Sequence, residues 1–213
     1  MARTTGSRDR RYDERRQAII VQVRARLSEP GGSRASLREL ASSCSVSLPT
    51  LRHYFPHRED LIVAVLNENL AQGEPHLTHI ATPIEPFETS IREMLGYIAY
   101  GFEHGLGELH TLGLTEGLRH PVLGPAFVEL VLEPSIEAVR RRLEAHVSAG
   151  AMSPGDTRHA ALILLAPVTL ALLHQRELGG QSAQPLSVER LLDEHAAAFV
   201  RAFASRSVAA STS

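Results

Sequence analysis

The chain has 213 residues, 43 % hydrophobic and 22 % charged, the balance of a soluble globular fold with one or two domains. Its net charge of −2 hides an asymmetry. Residues 1–60 hold 12 arginines against 7 acidic residues, whereas the rest holds 10 against 17, so a basic head on an acidic body leaves only the head to meet a polyanion.

Residues 1–12 are polar and arginine-rich without an apolar period, and read as a flexible basic arm. From Asp13 the pattern turns helical, with Ala18, Ile19, Val21, Val23 and Leu27 as one broad stripe that "EPGG" at 29–32 ends. Ser36 followed by Glu39 is a capping box, so a helix should begin at Leu37. Leu37, Leu40, Ala41 and Cys44 then share one face. Ser42, Ser43 and Ser45 weaken this helix and predict a turn near 44–46, with Val46 beneath it. Ser47 is a good cap for a second short helix with Pro49 in its first turn, and Pro56 stops it. On it Leu51 and Phe55 face inward, and two short helices joined by a tight turn make a helix-turn-helix.

Arg58 opens a longer helix, 58–72, and "GEPHLTHIATPIEP" reads as a loop or broken helix. Further helices are expected over 87–102, 105–118, 121–149 (kinked at Pro134), 156–178 (kinked at Pro167) and 187–203, where Ser187 caps without a capping box. No strand signal competes, so the fold class is all-α, with a helix-turn-helix head at 13–60, a larger helical domain at 61–206 and a flexible tail at 207–213.

Cys44 is the only cysteine, so no intrachain disulfide can form and a reducing compartment fits. No signal-peptide core precedes the first helix. The most apolar stretch, 160–173, falls short of the roughly 20 residues that span a bilayer. A cytoplasmic protein with no membrane partner is expected.

Residues 13–70, and above all "SLRELASSCSVSLPTLRHYFPHREDLI", resemble the DNA-binding domain of TetR-family transcriptional regulators. Val46, Thr50, Leu51, Phe55, Pro56, Arg58, Glu59 and Leu61 match that family's pattern in type and spacing. Ser45 stands where a glycine is common, Arg52 where an aromatic is usual, Tyr54 where a histidine is usual, and His57 where a small polar cap is usual. The resemblance implies double-stranded DNA as partner, a small-molecule effector and a homodimer.

At 100° per residue, Leu51 and Phe55 point inward, Pro49 and His53 outward, and Thr50 and Arg52 to the flanks. Arg38 and Arg52 are the candidate readers of base edges, and Leu48 and Pro49 suit a thymine methyl. Thr50, His53 and Tyr54, with Ser47 beside them, are candidates for phosphates. Arg58 would pair with a phosphate at a helix N-terminus. One recognition helix touches few bases, so two half-sites and a dimer are expected. The helix at 160–175 is apolar all round, and with the last helix offers Leu162, Leu165, Val168, Thr169, Leu172, Ala197 and Val200 for a four-helix subunit contact.

In this family the region corresponding to 75–150 usually encloses the effector. His76, Met94, Tyr97, Tyr100, Phe102, His104, His110, Thr111 and Glu116 are the candidate ligand-binding residues, and their mix suits a mostly apolar molecule. The chain has 11 histidines, and His76 and His79 are three apart, but no third ligand stands at a telling spacing, so no metal or other cofactor is expected. No nucleophile motif or phosphate loop is present, so no enzyme is expected. The reading is a ligand-responsive transcriptional regulator, expected to repress by binding a palindromic operator and to be released by a small molecule. The alternative is a helical small-molecule-binding or scaffold protein without specific DNA binding.

Overall fold

A computed structural model describes residues 5–118 and 120–205, with side chains from Arg10 onward. Its helices are α1 (Thr5–Leu27), α2 (Leu37–Ser43), α3 (Leu48–Tyr54), α4 (Arg58–Ala81), α5 (Phe87–Gly101), α6 (Gly107–Gly117), α7 (Leu123–Phe127), α8 (Glu133–Ser148), α9 (Thr157–Leu172), α10 (Gly180–Ala183) and α11 (Val188–Phe203). Among the described residues there is no strand, only an isolated bridge between Met152 and Ala204. The fold is all-α, as expected.

The chain packs as two units that alternate along the sequence. The first holds residues up to Gly73 together with His104–Val131, and the second holds Glu74–Glu103 and everything from Leu132 onward. The expected division at 60/61 is one of function, and these units are one of packing. Residues 1–4 of the expected arm and the tail 207–213 lie outside the described residues.

Helix α1 begins at Thr5 and not at Asp13, so the described part of the expected arm has helical backbone. Polar composition hides the start, because ahead of the buried Ile19, Ile20 and Val23 the face toward α3 is carried by the exposed Tyr12 and the half-buried Arg16. Ala18 and Val21, expected inward, face solvent, while Ile19, Ile20, Val23 and Leu27 are buried. The chain leaves α1 through Gly31 in the left-handed region (φ 76). At Gly32 a Cβ would lie 2.3 Å from the Arg26 carbonyl oxygen, so only glycine lets the loop pass this close. Glu108 of α6 holds that loop by accepting the Gly31 N–H at 2.7 Å and the Ser33 N–H at 3.1 Å.

The caps form where the sequence places them. Ser36 and Glu39 make the full capping box of α2. Ser47 accepts the Thr50 N–H to start α3, and Ser187 accepts the Arg190 N–H to start α11. Ser45, in place of the usual turn glycine, takes the left-handed region itself at φ 52.

Helix α4 runs past Gln72 to Ala81 with Pro75 inside it, where a loop or break is expected. Proline removes one helical hydrogen bond, but tertiary contacts in the second unit hold the last turns. His76 Nδ1 pairs with the Tyr97 hydroxyl. His79 Nε2 lies 2.6 Å from Glu93, and its ring is 4.2 Å from that of Tyr97. The helix end is closed by Arg142, described below.

The core of the second unit forms where α5, α8, α9 and α11 pack on one another. Ala161, Leu164, Val168 and Leu172 recur at helical spacing along α9 and are buried, as are Val139 and Leu143 of α8. With the turn that follows it, α9 gives a helical run Thr157–Glu177, long and apolar enough to cross a membrane by length and composition alone. Expected as a shorter apolar stretch, this run packs one stripe against its own unit and leaves the other outward.

Candidate nucleic-acid interface and effector region

In the head, Leu51 and Phe55 are fully buried, and this fixes the azimuth of α3. Pro49, Thr50, Arg52 and His53 are then exposed, Leu48 and Tyr54 are half-buried, and Arg38 is exposed in the first turn of α2. The outward row suits a groove-reading helix: proline ring, hydroxyl, guanidinium and imidazole are turned outward, and the apolar anchors Leu51 and Phe55 inward. Ser47 and Thr50 also spend their hydroxyls on each other, at 2.8 Å, in the cap.

Arg58 is already engaged. Its Nε and Nη2 donate to Glu116 of α6 at 2.9 and 2.6 Å, a bidentate pair with both side chains about a quarter exposed. Its Nη1 is buried without a partner among the described residues. A phosphate contact by Arg58 must therefore compete with Glu116, a restraint that spacing alone cannot reveal because the partners stand 58 residues apart.

Tyr12 also meets the recognition helix. Its ring lies 4.8 Å from that of Tyr54 at 33°, and 5.8 Å from His53 edge-on. One turn later the Arg16 guanidinium sits 4.8 Å over the Phe55 ring. The spacing Tyr12–Arg16–Ile19–Val23 is the signal that locates this stripe once an aromatic and an arginine are admitted to it.

The candidate effector residues divide between the two units. In the second, Met94 and Phe102 are buried, Tyr97 is half-buried, His76 is exposed but bonded to Tyr97, and Tyr100 is 56 % exposed. In the first, His104 is exposed at a kink with Gly105 (φ 105), and Thr111 is half-buried on α6. His110 is buried, with Nδ1 donating to the Leu106 carbonyl at 2.9 Å, and burial lowers its pKa. Glu116 lines an open cleft of about 430 Å³ with Leu114, Thr115, Leu118 and His120. Of the nine candidates, Glu116 alone lines this cleft.

Among the candidate subunit-contact residues, Val168 and Leu172 belong to the core of their own chain and are fully buried, which corrects their placement at a surface. The α9 stripe at 161, 164, 168 and 172 faces inward, so the outward stripe falls on Leu162, Ile163 and Leu170, exposed at 39, 53 and 66 %. Leu165, Thr169, Ala197 and Val200 are half-buried.

A buried polar cluster in the second unit was not singled out by the sequence. Arg142 is fully buried. Its Nε donates to the Ile80 carbonyl at 2.6 Å, Nη2 to the His79 carbonyl at 2.9 Å, and Nη1 to Ser90 O, Ser90 Oγ and Glu93 at 2.7, 3.1 and 3.1 Å. It thus satisfies the orphan carbonyls at the end of α4. Ser90 Oγ also accepts the Ile84 N–H at 3.3 Å, which uses both lone pairs, so its proton goes to His146 Nε2 at 2.8 Å. The His146 ring proton then sits on Nδ1, with the Glu85 carboxylate 3.9 Å away. Burial holds His146 below the ordinary histidine pKa. Nothing in one-dimensional spacing marks Arg142, because its partners, three backbone carbonyls with Ser90 Oγ and Glu93, are brought up by folding.

The described residues form an all-α chain with a helix-turn-helix head and a larger helical body, an architecture found among transcriptional regulators. The sequence matches the C-terminal domain of AefR-like transcriptional repressors over residues 94–206, more than half its length, and the chain belongs to the TetR family of transcriptional regulators. No curated protein matches it. Solved structures that share its fold include the following three. A Mesorhizobium loti protein assigned to the TetR family of regulators is 20 % identical, with TM-score 0.74 over 91 % of this chain and 98 % of its own. NemR of Escherichia coli in its reduced form is 19 % identical, with TM-score 0.67 over 91 % and 100 %. The transcriptional regulator FadR of Bacillus subtilis, in complex with stearoyl-CoA, is 13 % identical, with TM-score 0.67 over 86 % and 97 %.

Proposed function

We propose that the chain is a ligand-responsive transcriptional repressor of the cytoplasm that binds a palindromic DNA operator as a homodimer and is released by a small molecule. The observation that carries this reading is α3, anchored by Leu51 and Phe55 with Pro49, Thr50, Arg52 and His53 turned outward on a basic head. Arg38 and Arg52 would read base edges, Leu48 and Pro49 would meet apolar base surface, and Ser47, Thr50, His53, Tyr54 and Arg58 would meet the backbone. The outward stripe of α9, with Ala197 and Val200 of α11, would supply the two-fold contact that a palindrome requires.

The effector region is drawn from His76, Met94, Tyr97, Tyr100, Phe102, His104, His110, Thr111 and Glu116. Their aromatic and apolar majority favours an amphipathic organic ligand, and the acyl-CoA held by the Bacillus subtilis relative supports that class. Such a ligand lowers operator affinity only by its preference for one of two head arrangements.

The test is fluorescence anisotropy with a duplex enriched by the wild-type protein from a random pool. Arg52→Ala should lose discrimination at one base pair of each half-site, about 1–3 kcal/mol, while binding of scrambled DNA persists. Equal affinity of wild type for every duplex would leave the scaffold reading in its place.

A further inference from the structure

We propose that residues 5–12, the amino-terminal turns of α1, form a second DNA-contacting surface, with Tyr12 as the positioning residue that joins it to the recognition helix. The proposal rests on the DNA-binding reading of the head and adds to it a surface and a partner, the phosphates beside the groove in which α3 sits.

The first support is continuity. Because α1 starts at Thr5, its basic first turns have the backbone of a helix whose later turns are anchored in the core. Arg10 and Arg11 are exposed on it, and residues 5–12 hold three arginines against one aspartate. Arg11 lies about 100° from Tyr12 around the helix, on the flank of the face that meets α3. A guanidinium presents a planar fork of donors matched to phosphate oxygens.

The second support is the aromatic cluster. Tyr12 is 38 % exposed, so it is no core residue, and the rings beside it are Tyr54 and His53 of the recognition helix. Those two rings also meet each other at 5.3 Å and 75°. Three successive turns of α1 dock on α2 and α3: Tyr12 on Tyr54 and His53, Arg16 over Phe55, and the Ile19 carbonyl 3.7 Å from Cys44 Sγ. Tyr12 therefore holds Tyr54 and His53 ordered before DNA arrives, which removes part of the ordering cost of binding. It also places Arg11, on the flank of that face, next to the same stretch of duplex.

The experiment uses the full chain and the enriched duplex, with a scrambled duplex beside it. Tyr12→Ala should weaken specific binding roughly tenfold, and Tyr12→Phe, which keeps the ring, should bind as wild type. Arg10→Gln with Arg11→Gln should weaken both duplexes alike and flatten the plot of log affinity against log salt by about 0.9 for each phosphate lost. Wild-type affinity in Tyr12→Ala, or a wild-type salt slope in the arginine variant, overturns the inference while Arg52→Ala still reports on the head. If Tyr12→Ala fails to fold by thermal melt, the exposed arginines decide alone. A wild type that enriches no duplex overturns the DNA-binding reading and this inference with it.

Discussion

A single pair of residues joins the expected DNA contacts to the expected effector residues. Arg58 is a proposed phosphate contact and Glu116 a proposed effector residue, and they hold each other through two hydrogen bonds at 2.9 and 2.6 Å. A carboxylate and a phosphate cannot both take the same fork of the guanidinium. Glu116→Gln should therefore leave folding nearly unchanged, since a pair of this exposure contributes about 0–1 kcal/mol, yet tighten DNA binding a few-fold. The salt dependence should steepen by about 0.9 as one more phosphate is neutralised. Unchanged affinity and slope would mean that Arg58 does not reach the backbone. Residue-level reading from sequence was strong where the partner is local, as with Ser36 and Glu39 or Ser47 and Thr50, and blind to Glu116, because loop closure over tens of residues leaves no trace in spacing.

Helix boundaries were legible wherever a cap or a breaker sets them, as at Leu37, Leu48 and Val188. They depart from the local signal where a distant group overrides it. Helix α4 is the instructive case. Its Pro75 and the polar residues after it predict an end near Gln72, but His76, His79 and the carbonyls of His79 and Ile80 are all taken up by α5 and α8. Arg142 does most of this, so Arg142→Met should fray the last turns of α4 and leave several buried acceptors unmet. A loss of about 3–5 kcal/mol is expected, read in urea unfolding, together with faster hydrogen exchange at 78–82. Arg142→Lys should recover little, because one ammonium cannot serve both ends of the fork. Normal stability in Arg142→Met would show that water replaces the guanidinium without cost.

At the level of the whole molecule, the outward stripe of α9 is an exposed apolar surface. Leu162, Ile163 and Leu170 are exposed on one helix while Leu164, Val168 and Leu172 fill the core from the other side. If the stripe is the subunit contact, Leu170→Arg should dissociate the dimer in sedimentation, keep the helical circular dichroism, and cost operator affinity by unlinking the half-sites. A Leu170→Arg protein that still sediments as a dimer would move the contact elsewhere.

The all-α class, the helix-turn-helix, its caps and its inward pair Leu51 and Phe55 follow from the order of residues alone, because helical period, capping and proline placement are local and act within a turn or two. The allocation of side chains to core or surface on an all-apolar helix does not, since α9 carries leucine on every side and only its neighbours choose which stripe is covered. The same holds for Tyr12 on Tyr54, Glu116 on Arg58 and Arg142 at the end of α4. Each is a contact between groups far apart in sequence, made possible by the cooperative burial of the apolar faces around it and invisible until that burial has occurred.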